Sequence, residues 1–213
     1  MVRSARGFAF LLLLFLEPCF PGAATSAPAG QAENGRAVGP SRVSLPVWLG
    51  NQAGSPPNIV NGARRYMSRI FEKIGVQVVW AEDPKAAPQS VVALIVPDAR
   101  AAALRIADTE ALAVTLGDER PGGCVYLFFG RVERTAAQHR VDTSFVLGSA
   151  QAHETAHFLL HGNAHGRSGL MRASWGDQEF RLMRGGMLLF SRGEGEAIRD
   201  QTRTLTADGR MAP

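Results

Sequence analysis

Cysteine is scarce in this chain, in which Cys19 and Cys124 are the only two among 213 residues. Cys19 lies just after the apolar run of residues 8–16, which has arginines before it and small residues after it. This order is typical of a secretory signal peptide, and we predict cleavage after Ala24. Without Cys19 the mature chain cannot form an internal disulfide, so its stability must come from its core and from any bound metal.

A long hydrophobic run is also absent. Residues 8–16 supply about half of the roughly 20 apolar residues that a membrane-spanning helix needs, so we expect no permanent membrane anchor. We therefore predict a secreted or periplasmic protein in which residues 1–24 are the signal peptide. Residues 25–42 are small, polar and rich in Gly and Pro, which indicates a flexible leader.

A basic cluster that could bind nucleic acid is missing as well. Lys and Arg number 23 against 19 Asp and Glu, but these cations are scattered and are not interleaved with aromatic residues. We expect no nucleic-acid partner. With 46% hydrophobic and 20% charged residues, the composition is that of a globular protein. The length suits one domain, which we predict over residues 43–205, followed by a tail at 206–213.

Alternating short strands and helices are predicted across this domain. Runs rich in β-branched and apolar residues predict strands at 43–49, 76–80, 91–96 and 124–129. A helix with Ser55 as its cap is predicted between the first two strands, and 76–80 is expected to neighbour 91–96. The strand at 124–129 is either interior or the rim along which a peptide pairs. This order predicts an α/β (α+β) fold with a small mixed sheet.

The segment from Asp142 to Gly162 predicts a long helix, with a favourable residue at each end. It carries His153-Glu154-x-x-His157. Residues four apart share a helical face, so the two imidazoles can bind one ion. Glu154 projects to the side, where its carboxylate can take a proton from a metal-bound water that attacks a polarised carbonyl. The motif therefore predicts a catalytic site with one Zn²⁺ per chain.

The third ligand can be selected by distance. His161 lies about 12 Å along the helix axis from His153, at ~1.5 Å per residue. Zinc–nitrogen bonds are only about 2.0–2.1 Å long, so these two histidines cannot share an ion with His157. A chain that leaves the helix at Gly162 can turn back and present His165, which we predict as the third ligand. His161 then interacts with the last helical carbonyls, or alternatively contacts the ligands or the substrate.

Two acidic residues compete with His165. Glu179 lies 22 residues after His157, in a predicted following helix, and is the alternative third ligand. Asp177 is a weaker candidate, and a site without metal is the remaining reading.

The residues 153–171, "HETAHFLLHGNAHGRSGLM", resemble the metzincin clan of zinc endopeptidases, whose pattern is HExxHxxGxxH followed by a methionine-containing turn. Here seven residues separate the second and third histidines, where the clan has five. The resemblance implies a compact zincin-like domain with an active-site helix and a Met turn. It implies that the base is Glu154, that the turn residue is Met171, and that the ligands are His153, His157 and His165.

A more extended resemblance covers residues 43–200 and links the chain to short secreted bacterial proteins with a metzincin-like core. It implies a secreted zinc-dependent endopeptidase acting on peptides or proteins. Arg172 and Trp175 follow the Met turn, where they line the cleft or cover the turn. The tyrosine that often follows this turn in metzincins has no counterpart. A non-catalytic, zinc-stabilised binding module is the alternative function, and metal storage by the four clustered histidines is a third.

Overall fold

Five strands form one mixed sheet in the computed structural model, which describes residues 43–83, 90–116 and 124–207. The strands are β1 (Val43–Asn51), β2 (Val76–Ala81), β3 (Val91–Val96), β4 (Ala113–Leu116) and β5 (Cys124–Phe128). Their order across the sheet is β2-β1-β3-β5-β4. The first four in this order run parallel, and β4 pairs antiparallel with β5. The predicted signal peptide (1–24), the leader (25–42) and residues 208–213 of the predicted tail lie outside the described residues.

Six helices accompany the sheet in the described part of the chain. They are α1 (Pro57–Glu72), α2 (Arg100–Ala103), α3 (Phe129–His139), α4 (Thr143–Leu160), α5 (Asp177–Arg184) and α6 (Arg192–Ala207). Together with the sheet they form a compact mixed α/β domain, which confirms the predicted fold class. None of these helices is both long enough and apolar enough to cross a membrane.

The predicted neighbours 76–80 and 91–96 are not adjacent, because β1 lies between β2 and β3. Nearly every residue of β1 is buried or half-buried, as expected for a strand covered on both faces, whereas β2 is partly exposed. Segment 124–129 is also not the rim. Its strand, β5, pairs on both sides, and the two edge strands of the described sheet are β2 and β4.

Helix α1 begins one residue later than a Ser55 cap would predict. Pro56 is its N-cap residue and makes no side-chain cap, so the capping prediction for Ser55 is wrong. Ser55 is instead buried in the turn after β1, where its backbone N–H donates to Asn51 Oδ1 at 3.0 Å. Proline is well suited to the first helical position, where Pro57 lies, because its missing N–H would have no helical partner and its φ fits the helix.

Helix α4 lies at the centre of the domain and is buried over most of its length. Its Asp142 cap is confirmed, since Oδ1 accepts from Ser144 N–H at 2.8 Å. Against α1, Gly148 allows close approach, because a Cβ there would lie 2.7 Å from the carbonyl oxygen of Ala63. A helix that is apolar on all sides is expected to be enclosed by other elements. This enclosure fixes the position of the histidines on its last two turns.

Candidate metal centre

Three of the five histidines converge at the C-terminal end of α4. Nε2 of His157 lies 2.9 Å from Nε2 of His153 and 3.2 Å from Nε2 of His165. One ligand atom from each lies within 4.8 Å of the others. Two nitrogens bound tetrahedrally to one zinc ion are about 3.3 Å apart, given bonds of about 2.0–2.1 Å. The three side chains could therefore hold a metal ion.

Backbone carbonyls set the ring orientation of the two helical histidines. Nδ1 of His153 lies 2.8 Å from the carbonyl oxygen of Leu170, and Nδ1 of His157 lies 2.8 Å from that of Gly162. A carbonyl only accepts, so each Nδ1 carries the proton and donates it. Each Nε2 is then left with a free lone pair that faces the other histidines. This is the tautomer that a metal ligand requires.

The chain reverses direction after α4 to bring His165 back. His161 ends the helix with a left-handed backbone, φ 50°, and Gly162 N–H donates to the carbonyl oxygen of His157 at 3.3 Å. On the far side of His165, Gly166 N–H donates to the carbonyl oxygen of Met171 at 2.8 Å. The loop is thus tied at both ends. The imidazole rings of His165 and His153 stack with their centroids 5.4 Å apart. This contact agrees with the predicted return of the chain after the helix.

The electrostatics favour neutral rings at His153 and His165. Burial lowers the pKa of His153 to about 4, and the nearby His157 and His165 add to this effect. The hydrogen bond to Leu170 opposes it only in part. Burial and His157 also lower the pKa of His165. Neutral imidazole is the form that binds a metal, so few protons compete for the nitrogens of these two residues at neutral pH.

His161 is excluded from the cluster, as the helix geometry predicts. Its side chain is exposed, with its ring 6.3 Å from that of Phe158. No hydrogen bond joins its imidazole to any described residue. The interaction with the end of the helix is made by its backbone N–H, which donates to the carbonyl oxygen of Phe158 at 3.3 Å.

Glu179 is not in the histidine group that could hold a metal, so the structure does not favour it as the third ligand. It is 2% exposed, and its Oε2 accepts from Arg172 Nη1 and from Gly176 N–H, each at 2.9 Å. Burial alone would raise the pKa of Glu179, but these hydrogen bonds outweigh burial and lower it. The Glu179 carboxylate therefore stabilises the start of α5 through these hydrogen bonds. Asp177 is also outside the group and has an exposed side chain.

The segment predicted as the Met turn, around Met171, adjoins the histidine group. Met171 is 1% exposed and part of the main core. The preceding carbonyl, that of Leu170, accepts from His153 Nδ1 and also from Trp175 Nε1 at 3.1 Å. Trp175 meets the ring of His153 edge-on at 5.9 Å. Trp175 and Arg172 therefore both support this turn and line the adjoining cavity, so the two predicted roles coexist.

Glu154 is held by a residue that sequence reasoning missed. The hydroxyl of Thr115, on β4, lies 2.8 Å from Oε2 of Glu154 and 2.9 Å from its backbone carbonyl oxygen. Burial raises the pKa of Glu154, although the Thr115 hydroxyl and His157 partly counteract it. A raised pKa suits a carboxylate that must accept a proton. Nothing in the sequence near Thr115 marks this contact, since 39 residues separate the two.

An open cavity of about 450 Å³ gives access to this group. His153, Glu154 and His165 line one part of it, and Ala113 of β4 lines another. The fifth histidine, His139, also lines the cavity and stacks on Phe180 with ring centroids 3.8 Å apart. A site that combines three imidazole nitrogens, a carboxylate and an open cleft can perform metal-assisted hydrolysis.

Comparison with known proteins does not identify a family for this chain. No protein-family model matches the chain, and no curated protein matches its sequence. The functional argument therefore depends on the site itself.

Proposed function

We propose that this chain is a secreted or periplasmic zinc-dependent endopeptidase with a metzincin-like fold. One observation carries the proposal. The Nε2 atoms of His153, His157 and His165 converge, and the carboxylate of Glu154 shares one open cavity with two of these histidines. Structural zinc sites use four protein ligands, whereas catalytic zinc sites use three and leave one position for water.

The donor set fits zinc. Imidazole nitrogen is a common zinc ligand, and three neutral imidazoles leave the charge of the ion uncompensated, as Lewis acid chemistry requires. The histidines would hold the ion through Nε2, with Leu170 and Gly162 fixing two of the three rings. A bound Zn²⁺ would supply a lowered pKa for its water and polarisation of the scissile carbonyl.

Glu154 performs the proton transfers in this mechanism. Its carboxylate accepts one proton from the attacking water while the water oxygen bonds to the carbonyl carbon. It then donates that proton to the leaving amine nitrogen as the C–N bond breaks. Water is thereby divided between the two products, and Glu154 returns to its ionised form.

The free edge of β4 is an argument for a peptide substrate. Among the described strands, β4 pairs on one side only, with β5. An extended peptide can add to such an edge through main-chain hydrogen bonds. Ala113 of this strand lines the cavity, and Thr115 contacts Glu154, so a peptide bound there would pass close to the base.

Two further features support a metzincin-like fold. One side of the sheet ends in a single antiparallel strand, β4, which packs against the helix that carries the motif, and Met171 is buried one residue after the carbonyl that accepts from His153. The non-catalytic binding module is less well supported, because it gives no role to a half-buried carboxylate that faces an open cavity. Metal storage by four histidines is disfavoured by the position of His161.

Metal analysis with peptide hydrolysis tests the proposal. The purified chain should contain about one zinc and cleave members of a peptide library. Glu154→Gln should keep the zinc and lose about 10²–10⁴-fold in kcat, the usual contribution of a general base. His165→Ala should lose the zinc, while His161→Ala, the matched control on the same segment, should keep both zinc and activity.

Two outcomes would reject the proposal. A folded, zinc-loaded wild type that cleaves no peptide would favour the binding module. Turnover that persists in Glu154→Gln would remove the assigned base.

A further inference from the structure

The clearest contact to the candidate base comes from a strand, and no part of the motif supplies it. Thr115 and Glu154 are joined by two short distances, 2.8 Å to the carboxylate oxygen Oε2 and 2.9 Å to the backbone carbonyl oxygen. Both fall within the normal range for O–H···O hydrogen bonds. Both residues are partly buried, which limits competition from solvent.

We propose that Thr115 is the positioning residue of the base, with its hydroxyl holding the Glu154 carboxylate in the orientation needed to receive a proton. This inference rests on the proposed peptidase function. It adds a residue outside the zinc-binding motif, on the strand that we propose binds the substrate.

The geometry assigns different tasks to the two carboxylate oxygens of Glu154. A threonine hydroxyl has one hydrogen, and an ionised carboxylate can only accept, so Thr115 donates to Oε2. Oε1 makes no hydrogen bond to any described residue, and it is the oxygen left to take the proton of the attacking water and to release it to the leaving amine. The contact between Thr115 and Oε2 therefore fixes the direction in which Oε1 points.

The strand makes Thr115 a rigid support. Thr115 is in register with Val125 of the neighbouring strand, so its backbone is fixed by sheet pairing. Its β-branched side chain has restricted rotation about χ1. A peptide that adds to the free edge of β4 would bind directly alongside this residue. Substrate binding and orientation of the base would therefore involve the same strand.

The experiment compares Thr115→Val, Thr115→Ser and Thr115→Ala with wild type. Valine keeps the shape and strand preference of threonine but removes the hydroxyl, and serine keeps the hydroxyl. We expect kcat to fall by about 10–100-fold in Thr115→Val, as for a misplaced catalytic group, with KM changed by less than about threefold. Thr115→Ser should recover most of the loss. Thr115→Ala replaces the valine variant if that protein is unstable.

Three readouts separate positioning from a structural role. Zinc content and Tm of Thr115→Val should match wild type. In a Glu154→Gln background, Thr115→Val should cause no further loss of residual activity, because it acts through that carboxylate. Thr204→Val is the matched control, since it removes an exposed threonine hydroxyl that donates to the carbonyl oxygen of Asp200 on α6. It should leave kcat unchanged.

Failure of this inference and failure of the proposed function give different results. An active wild type whose kcat is unchanged in Thr115→Val, or whose loss is not recovered by Thr115→Ser, overturns this inference alone. Equal further losses from Thr115→Val in the wild-type and Glu154→Gln backgrounds do the same. A zinc-loaded but inert wild type overturns the proposed function, and the role of Thr115 with it.

Discussion

Replacing Glu179 by alanine tests whether its carboxylate has a structural role or binds the metal. Glu179 lies on the first turn of α5, is 2% exposed and accepts from Gly176 N–H and Arg172 Nη1. The first bond satisfies a backbone N–H at the start of a helix, and the second ties α5 to the residue after Met171. We expect Glu179→Ala to keep its zinc and to lose stability.

The magnitude follows from these two contacts. Leaving the half-buried Gly176 N–H without a partner costs about 1–3 kcal/mol. The pair with Arg172 adds less than about 1 kcal/mol, because the arginine side chain is 42% exposed and can return to solvent. Together these terms predict a loss of about 1–4 kcal/mol. At about 2–4 °C per kcal/mol for a domain of this size, that corresponds to a fall in Tm of several degrees.

Thermal unfolding and zinc analysis of the same samples provide the assay. Glu196→Ala is the control, because Glu196 pairs with Arg192 on the surface and its removal should cost less than about 1 kcal/mol. The stability effect should also depend on pH. The pKa of Glu179 is lowered in the folded state, so its contribution is complete above the ordinary value of 4.5 and is lost as pH falls through the lower folded value. The difference in Tm between wild type and variant should therefore shrink in acid.

Two results would refute this reasoning. Loss of zinc from a folded Glu179→Ala variant would show that Glu179 is a metal ligand. A change in Tm no larger than that of Glu196→Ala would show that the two hydrogen bonds contribute little.

Two other perturbations test the environment of α4. Metal-free protein should lose stability as pH falls from about 6.5 towards 4, because His153 has a lowered pKa and the unfolded chain binds the proton more readily. Tm against pH for wild type and His153→Gln measures this, and parallel curves would contradict it. Gln151→Met should raise Tm, because the buried Gln151 amide has no partner among the described residues and its burial costs about 1–3 kcal/mol. A lower Tm would indicate that an internal water satisfies this amide.

The parts of the site that follow from local geometry could be predicted from sequence. Helical period places His153 and His157 on one face and moves His161 away, while the residues after the helix allow only a short return to His165. These statements need nothing beyond 1.5 Å per residue and the length of a metal bond. The structure brings together the same three histidines.

Long-range partners could not be predicted in this way. The position of β1 between β2 and β3 depends on which strand can be covered on both faces, which is a property of the whole sheet. The contact of Thr115 with Glu154 joins residues 39 apart, and an isolated threonine in a short strand carries no signal of it. The surroundings of Glu179 illustrate the same limit, because its partner Arg172 is recognisable only once α5 and the turn at Met171 are in place.

The origin of the ligand geometry therefore lies largely outside the HExxH segment. That segment supplies two imidazoles, but the direction of His153 is set by the Leu170 carbonyl, which Trp175 also uses. Leu170 is in turn fixed by its N–H, which donates to the carbonyl oxygen of Leu189 at 3.0 Å. A histidine on a helix can still rotate about its side-chain bonds. The hydrogen bond from Nδ1 to the Leu170 carbonyl removes that freedom for His153. The turn before α5 is consequently as much a part of the candidate metal centre as the helix that carries the motif.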